Sequence, residues 1–398
     1  MNELYLKYLA AMRAFVQGSV PDAVSLEEWN DLAKLAHIHS AEGILCYVYM
    51  THAELVPPEV QPQLRKLCLQ SIALYAGRAE KMCNLVSCLN ENGIDCIFMK
   101  GFVVRNYYPV PELRTFGDVD FLIRREDRAK CDALMKTLRY EPYENWEPVY
   151  SYRKDTEYYE VHTAVLEVDV SDKADYMEYF SHIWEHTCPS ETVTLPHAFE
   201  FTPEFHFLYL LTHIAKHISG SGAGVRMYLD IAFFIRHFRD TADWKQIAAE
   251  LEKLCLTDFA GTVLTAVENW FGVESPLPLK PVPENIIQDF TEFTIAGGVY
   301  GYAGRDKSLI FLKQQNRSEE SVSKGKTLLY HAFPPVSAME NRYTYLQKHR
   351  WLLPAAWIHR LAASRKEWGR FADHTKKILQ ADDEEVLKLK RLYRDIGL

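Results

Sequence analysis

The chain has 398 residues, 48% of them hydrophobic and 25% charged, values of an ordinary globular protein long enough for two or three domains, not of a fibrous or disordered one. A net charge of −9 argues against binding nucleic acid through the molecule as a whole, although residues 341–398 hold 13 Lys and Arg against 7 Asp and Glu. There is no uninterrupted apolar stretch of about 18 residues, no basic leader in Met1-Asn2-Glu3-Leu4-Tyr5-Leu6-Lys7, and no Cys-x-x-Cys among the eight scattered cysteines, so disulfide frameworks and cysteine zinc sites are set aside and a soluble, cytoplasmic protein is expected.

Residues 1–90 read as helix. Leu4, Leu9, Met12 and Phe15 form a loose helical stripe, and Ser25 with Glu28 is a capping box ahead of Trp29, Leu32, Leu35 and Ala36. Val56-Pro57-Pro58-Glu59 interrupts the pattern, and a long helix follows from Val60 to Asn92. His37 and His39 read as helix-end or surface residues. Gly93 to Met99 is a turn and then a buried strand, Lys100-Gly101 follows directly, and Phe102 to Tyr107 starts a helix. A glycine at a strand-to-helix turn admits a phosphate to backbone N–H groups, and Lys100 adds a point charge.

Asp118-Val119-Asp120 runs into Phe121-Leu122-Ile123, an acidic pair at the head of an apolar strand. Alternation puts both aspartates on one face. Two like charges so close repel unless a cation lies between them, and hard oxygen ligands suit Mg²⁺ held by one or two carboxylates together with phosphates. Glu160 and His162 in Tyr159-Glu160-Val161-His162 share a strand face and offer a third acid; Glu167 and Asp169 are the alternatives. Arg114 is either a phosphate fork or the partner of Glu112 or of the acidic pair. Arg125 to Leu138 reads as a helix capped by Asp127, and Tyr143 to Tyr152 as a loop or hairpin.

Thr202-Pro203-Glu204 opens the next helix. His206, His213 and His217 recur on one of its faces, spaced for a zinc site, for a cleft wall or for plain packing. Ser219 to Gly224 reads as a flexible glycine loop that is neither a Walker loop nor a dinucleotide fingerprint. Arg226 and Asp230 are positioned to pair on the helix after it; alternatively Arg226 or Lys216 reaches a phosphate. Pro276, Pro278, Pro281 and Pro283 form a stiff linker, Gly297 to Gly304 a loop that moves or accepts close contact, and residues 341–398 basic helices.

The order of strand, glycine turn, helix, acidic strand and later acid resembles the DNA polymerase beta-type nucleotidyltransferase superfamily. Met99-Lys100-Gly101, Tyr108-Pro109, Arg114 before Gly117-Asp118-Val119-Asp120, and Glu160-Val161-His162 are similar to a bacterial family of uncharacterised nucleotidyltransferases within it. So are Leu210-Leu211 through His213 and His217, Gly224-Val225-Arg226 with Asp230, and Phe333-Pro334-Pro335 through Arg342-Tyr343. The chain departs from the wider superfamily in carrying Lys100-Gly101 where Gly-Ser is usual.

The resemblance implies an α+β fold: a small mixed-sheet core at 91–200 between helical regions at 1–90 and 201–398. It implies Mg²⁺ or Mn²⁺ on Asp118, Asp120 and Glu160, the same three acting in catalysis. A nucleoside triphosphate donor would lie against Lys100, Gly101, Arg114, His162, His213, Lys216, His217 and Arg226. The acceptor would be a hydroxyl on an unidentified small molecule or protein, with nucleic acid less favoured. The alternatives are a binding or regulatory protein that keeps the fold without catalysis, and an enzyme that nucleotidylates other proteins.

Overall fold

Helix caps set the N-terminal architecture. Asn2 accepts the Leu4 N–H at the start of α1 (Glu3–Gln17), and Gly18 ends that helix in the left-handed region. The Ser25–Glu28 capping box forms as expected ahead of α2 (Leu26–Ile38). α3 (Glu42–Met50) and the long α4 (Gln61–Glu91) follow. His37 is exposed and pairs with Glu42. His39 is also at a helix end but lies in the interior, with Nε2 against the Ile295 carbonyl and Nδ1 accepting the Val225 N–H. The computed structural model describes residues 2–166, 170–278, 280–301, 303, 312, 322–340, 342–363 and 368–398.

The α/β segment begins with β1 (Cys96–Phe98) and the short α5 (Gly101–Val104), then β2 (Val119–Ile123) and α6 (Arg128–Thr137). Asp127 stands at the cap position of α6, but its side chain makes no cap hydrogen bond. β3 (Glu141–Trp146) and β4 (Val149–Lys154) form the hairpin expected near Tyr143 to Tyr152, and β5 (Glu157–His162), α7 (Tyr176–Tyr179), β6 (Thr187–Pro189) and β7 (Ala198–Phe201) complete the segment. The strands form one seven-stranded sheet in the order β3-β4-β5-β2-β1-β7-β6. β2 pairs with β5 and β1 with β7 in parallel; the other neighbours are antiparallel.

The sheet is anchored on one side by apolar residues. Phe98, Val119, Phe121, Ile123, Tyr159 and Val161 pack with Met82, Leu85, Val86 and Leu89 of α4 and with Cys131 and Met135 of α6. Each large side chain buried there stabilises the fold by roughly 1.5–3 kcal/mol. The alternation that buries Val119 and Phe121 turns Asp120 and Leu122 the other way.

After β7 the chain returns to helix: α8 (Pro203–Gly220), α9 (Val225–Phe238), α10 (Trp244–Lys253), α11 (Thr257–Phe271) and α12 (Glu284–Gly297). α11 packs against both α1 and α9. The segment expected as a flexible glycine loop is helical as far as Gly220, and the rest of it is a tight seam. A Cβ on Gly222 would lie 2.7 Å from the Gly301 Cα, and one on Gly224 2.7 Å from the Val299 Cα. Close backbone approach therefore accounts for Gly222 and Gly224, while Gly304 of the second stretch lies outside the described residues.

Residues 1–218, 222–303 and 396–398 form one compact unit and residues 219–221 and 304–395 a second. The second contains helices Lys324–Ala332, Leu353–Ala363, Trp368–Gln380 and Asp383–Asp395, with small apolar clusters around Met339, Tyr343 and Leu346 and around Leu312, Ile378 and Val386. Among the described residues no helix is long and apolar enough to cross a membrane.

Candidate active site

The site forms on the polar face of the sheet, where three neighbouring strands β1, β2 and β5 deliver residues from far apart in the chain. Asp120 on β2 stands in direct parallel register with Glu160 on β5, and Leu122 with His162. Register partners on adjacent strands share a face, so the two acids lie side by side. His162 Nε2 is 2.8 Å from Asp120 Oδ1 and 3.7 Å from Glu160 Oε2. From the other flank, Lys100 at the end of β1 puts Nζ 2.8 Å from the same Asp120 Oδ1.

The electrostatics follow from this crowding. Burial works against the charged form of Asp120, but Lys100 and His162 outweigh it and hold the carboxyl well below its ordinary value. Burial also opposes charge on His162, yet hydrogen bonds to Asp120 and Glu160 raise the imidazole above its usual range. His162 Nδ1 is buried with no hydrogen-bond partner among the described residues. Asp118 sits one residue before β2 and keeps access to solvent at the rim. Enough protein surrounds it that loss of water, ahead of repulsion from Asp120, raises its carboxyl.

Asp120, Glu160 and His162 each present a donor atom, all within 4.8 Å of one another. Two carboxylates and an imidazole suit Mn²⁺, and the carboxylates alone suit Mg²⁺ completed by water and phosphate. The residues present thus fit a divalent ion. Asp118, expected as a ligand, is not in this tight set, and His162, expected to touch the nucleotide, is. The alternative acids Glu167 and Asp169 lie outside the described residues.

The residues expected around a nucleotide divide into two groups. His213 and His217 on α8 have Nε2 atoms 3.1 Å apart. Burial, then the Lys100 charge, lowers both, His217 to about 4, so both rings are neutral near pH 7. Lys216 lies close enough for its charge to act on both. His206 does not join them; it is buried between Phe201 and Phe234, and no group of three metal donors among the described residues contains any of these histidines. Tyr209 escaped the sequence reading. Its hydroxyl, pushed up to about 12 by burial, stands beside Lys100, and its spacing of four from His213 is the signal that points to it.

Arg114, which is buried, and Arg226, which is partly buried, form the second group. Arg114 Nε and Nη2 reach Asp230 at 3.0 and 2.5 Å, and the Tyr108 hydroxyl donates to the same carboxylate at 2.7 Å. Arg226 is not paired with Asp230; its Nη1 donates to the Thr115 carbonyl at 2.9 Å and to the Thr115 hydroxyl at 2.7 Å. Gly101 belongs with this group, since a Cβ there would collide with the Arg114 guanidinium. Lys100 takes the unusual backbone conformation at the turn, φ 54° and ψ −135°, which costs a non-glycine residue about 1–3 kcal/mol.

The α+β sheet core thus aligns buried Asp120 and partly buried Glu160 beside lysine and histidine, an arrangement able to hold a phosphate-bound divalent ion. The chain belongs to the family described as uncharacterised nucleotidyltransferase, whose profile matches residues 25–272. That span contains every site residue named above. Searches of curated proteins and of solved structures find no match.

Proposed function

We propose that the chain is a metal-dependent nucleotidyltransferase of the DNA polymerase beta type, moving a nucleoside monophosphate from a nucleoside triphosphate to a hydroxyl acceptor. The observation that carries this is the direct register of Asp120 with Glu160, with His162 closing the donor set. Asp120, Glu160 and His162, with Asp118 at the rim, would hold Mg²⁺ or Mn²⁺, which supplies charge neutralisation and Lewis acidity at the phosphates. Lys100, Lys216 and the neutral pair His213–His217 form the wall that binds and orients the triphosphate. Arg114 and Gly101 keep that wall in position, and Arg226 holds Thr115 beside it. Glu160, only partly buried, receives the acceptor hydroxyl proton. The acceptor oxygen bonds to the α-phosphorus as the bond to the β-phosphate oxygen breaks, and pyrophosphate leaves.

The test is incubation of the purified chain with each α-labelled nucleoside triphosphate, Mn²⁺ or Mg²⁺ and a metabolite extract. Pyrophosphate release and transfer of label are expected, and both should fall at least 100-fold in Glu160→Gln. Release unchanged in that variant refutes the assignment. The Lys100–Asp120 ion pair favours one second reading, a nucleotide-binding protein without catalysis. Calorimetric binding of nucleotide with no turnover of any of the four triphosphates would select it, and label appearing on polypeptides would identify a protein acceptor.

A further inference from the structure

We propose that Lys100 is a built-in cation that takes one of the two positive positions of the site, so that the enzyme works with a single divalent ion per chain. This rests on the nucleotidyl-transfer reading and says how that site is charged. In a two-ion clamp a shared carboxylate bridges both ions. Asp120 is the residue placed for that role, on the central strand of the three. One flank is already filled: Lys100, arriving from β1, holds Nζ 2.8 Å from Asp120 Oδ1. Only the other flank, toward β5, assembles a three-donor set among the described residues, and it uses Asp120, Glu160 and His162.

Leaving the triphosphate aside, the charges of the protein's own groups agree with this count. Asp118, Asp120 and Glu160 carry three negative charges. The Lys100 ammonium and one divalent ion carry three positive ones. A second divalent ion would have to enter beside an ammonium that is largely buried, its side chain 18% exposed.

The backbone gives an independent sign. Lys100 has a positive φ of 54°, which glycine would adopt without strain. The strained residue is the one whose side chain reaches Asp120, while the glycine beside it makes room for Arg114. The turn is thus arranged around delivery of an ammonium to the acidic strand.

Counting bound Mn²⁺ by electron paramagnetic resonance, at saturating non-hydrolysable nucleoside triphosphate, tests this. The full-length wild-type chain should bind one Mn²⁺ per chain in the ternary complex and Lys100→Gly two. Lys100→Met, which keeps the bulk of the stem, guards against a folding defect in the glycine variant and should also bind two. Two ions in the wild type, or one ion in both variants with nucleotide still bound, overturns the proposal and leaves nucleotidyl transfer standing. No ion in any of the three removes the metal-dependent reading beneath it, and this proposal with it.

Discussion

Replacing Asp230 with Asn tests whether Arg114 is framework or phosphate ligand. In the wild type the guanidinium of Arg114 is buried and makes two hydrogen bonds to the Asp230 carboxylate, at 3.0 and 2.5 Å, beside the Tyr108 hydroxyl. Removing the negative charge leaves a buried cation uncompensated, which typically costs 3–5 kcal/mol. Asn keeps one acceptor for the guanidinium or for Tyr108, so Asp230→Asn should cost about 3 kcal/mol. Arg114→Met with Asp230→Leu removes both charges and should recover part of the loss, because two buried charges exchanged for apolar groups of similar volume is often near neutral, less about 1–3 kcal/mol for the Tyr108 hydroxyl left without its acceptor. The assay is urea denaturation followed by tryptophan fluorescence, with Asp230→Leu measured alone so that it, Arg114→Met and the double variant close a double-mutant cycle. If Asp230→Asn costs under about 1 kcal/mol, the value of an exposed pair, the buried-framework argument fails. It also fails if Arg114→Met leaves stability unchanged and weakens nucleotide binding instead.

Further outcomes follow from the same site. Gly101→Ala should destabilise the chain by about 1–3 kcal/mol in the same urea assay, because the added carbon displaces the Arg114 guanidinium. Asp118→Asn should abolish label transfer yet leave the metal-free protein as stable or a few tenths of a kcal/mol more so, since the raised Asp118 carboxyl makes its charge unfavourable above its folded pKa and solvent screens the effect; a marked fall in midpoint would refute this. Ionised Asp120, held below its ordinary value, contributes stability that is present above the unfolded carboxyl pKa and lost as pH falls through the lowered one. His162, held above its ordinary value, contributes stability that is present below the unfolded imidazole pKa and lost as pH rises through the raised one. Metal must displace the His162 proton, so Mn²⁺ affinity should climb with pH through that raised value and flatten in His162→Asn, measured by Mn²⁺ titration between pH 6 and 9.

Local signals were legible in the sequence wherever one element decides the outcome. The Ser25–Glu28 box, the long helix over Gln61–Glu91, the hairpin after α6 and the same-face placement of Glu160 and His162 all follow from short-range pattern. Partner choice was not legible, because it depends on which strands and helices become neighbours. Arg114 lies 116 positions from Asp230, and neither Glu112 nor Asp120 is its partner although both are near in sequence. Gly101 signals lack of bulk without saying what fills the space, and the Arg114 guanidinium beside it was not legible. Asp127 shows the opposite failure: a good capping residue at the right position whose side chain makes no cap bond.

The parallel pairing of β2 with β5 has a consequence for how this chemistry tolerates change. The gap between Asp120 and Glu160 is set by the spacing of adjacent strands, about 4.7–4.9 Å, and not by the length of polypeptide joining them. Extra residues grafted at the tip of the β3–β4 hairpin should leave the two acids where they are, whereas deleting one residue within β5 turns Glu160 to the apolar side. Kin of this chain are therefore best aligned by ladder position, with that hairpin free to vary in size.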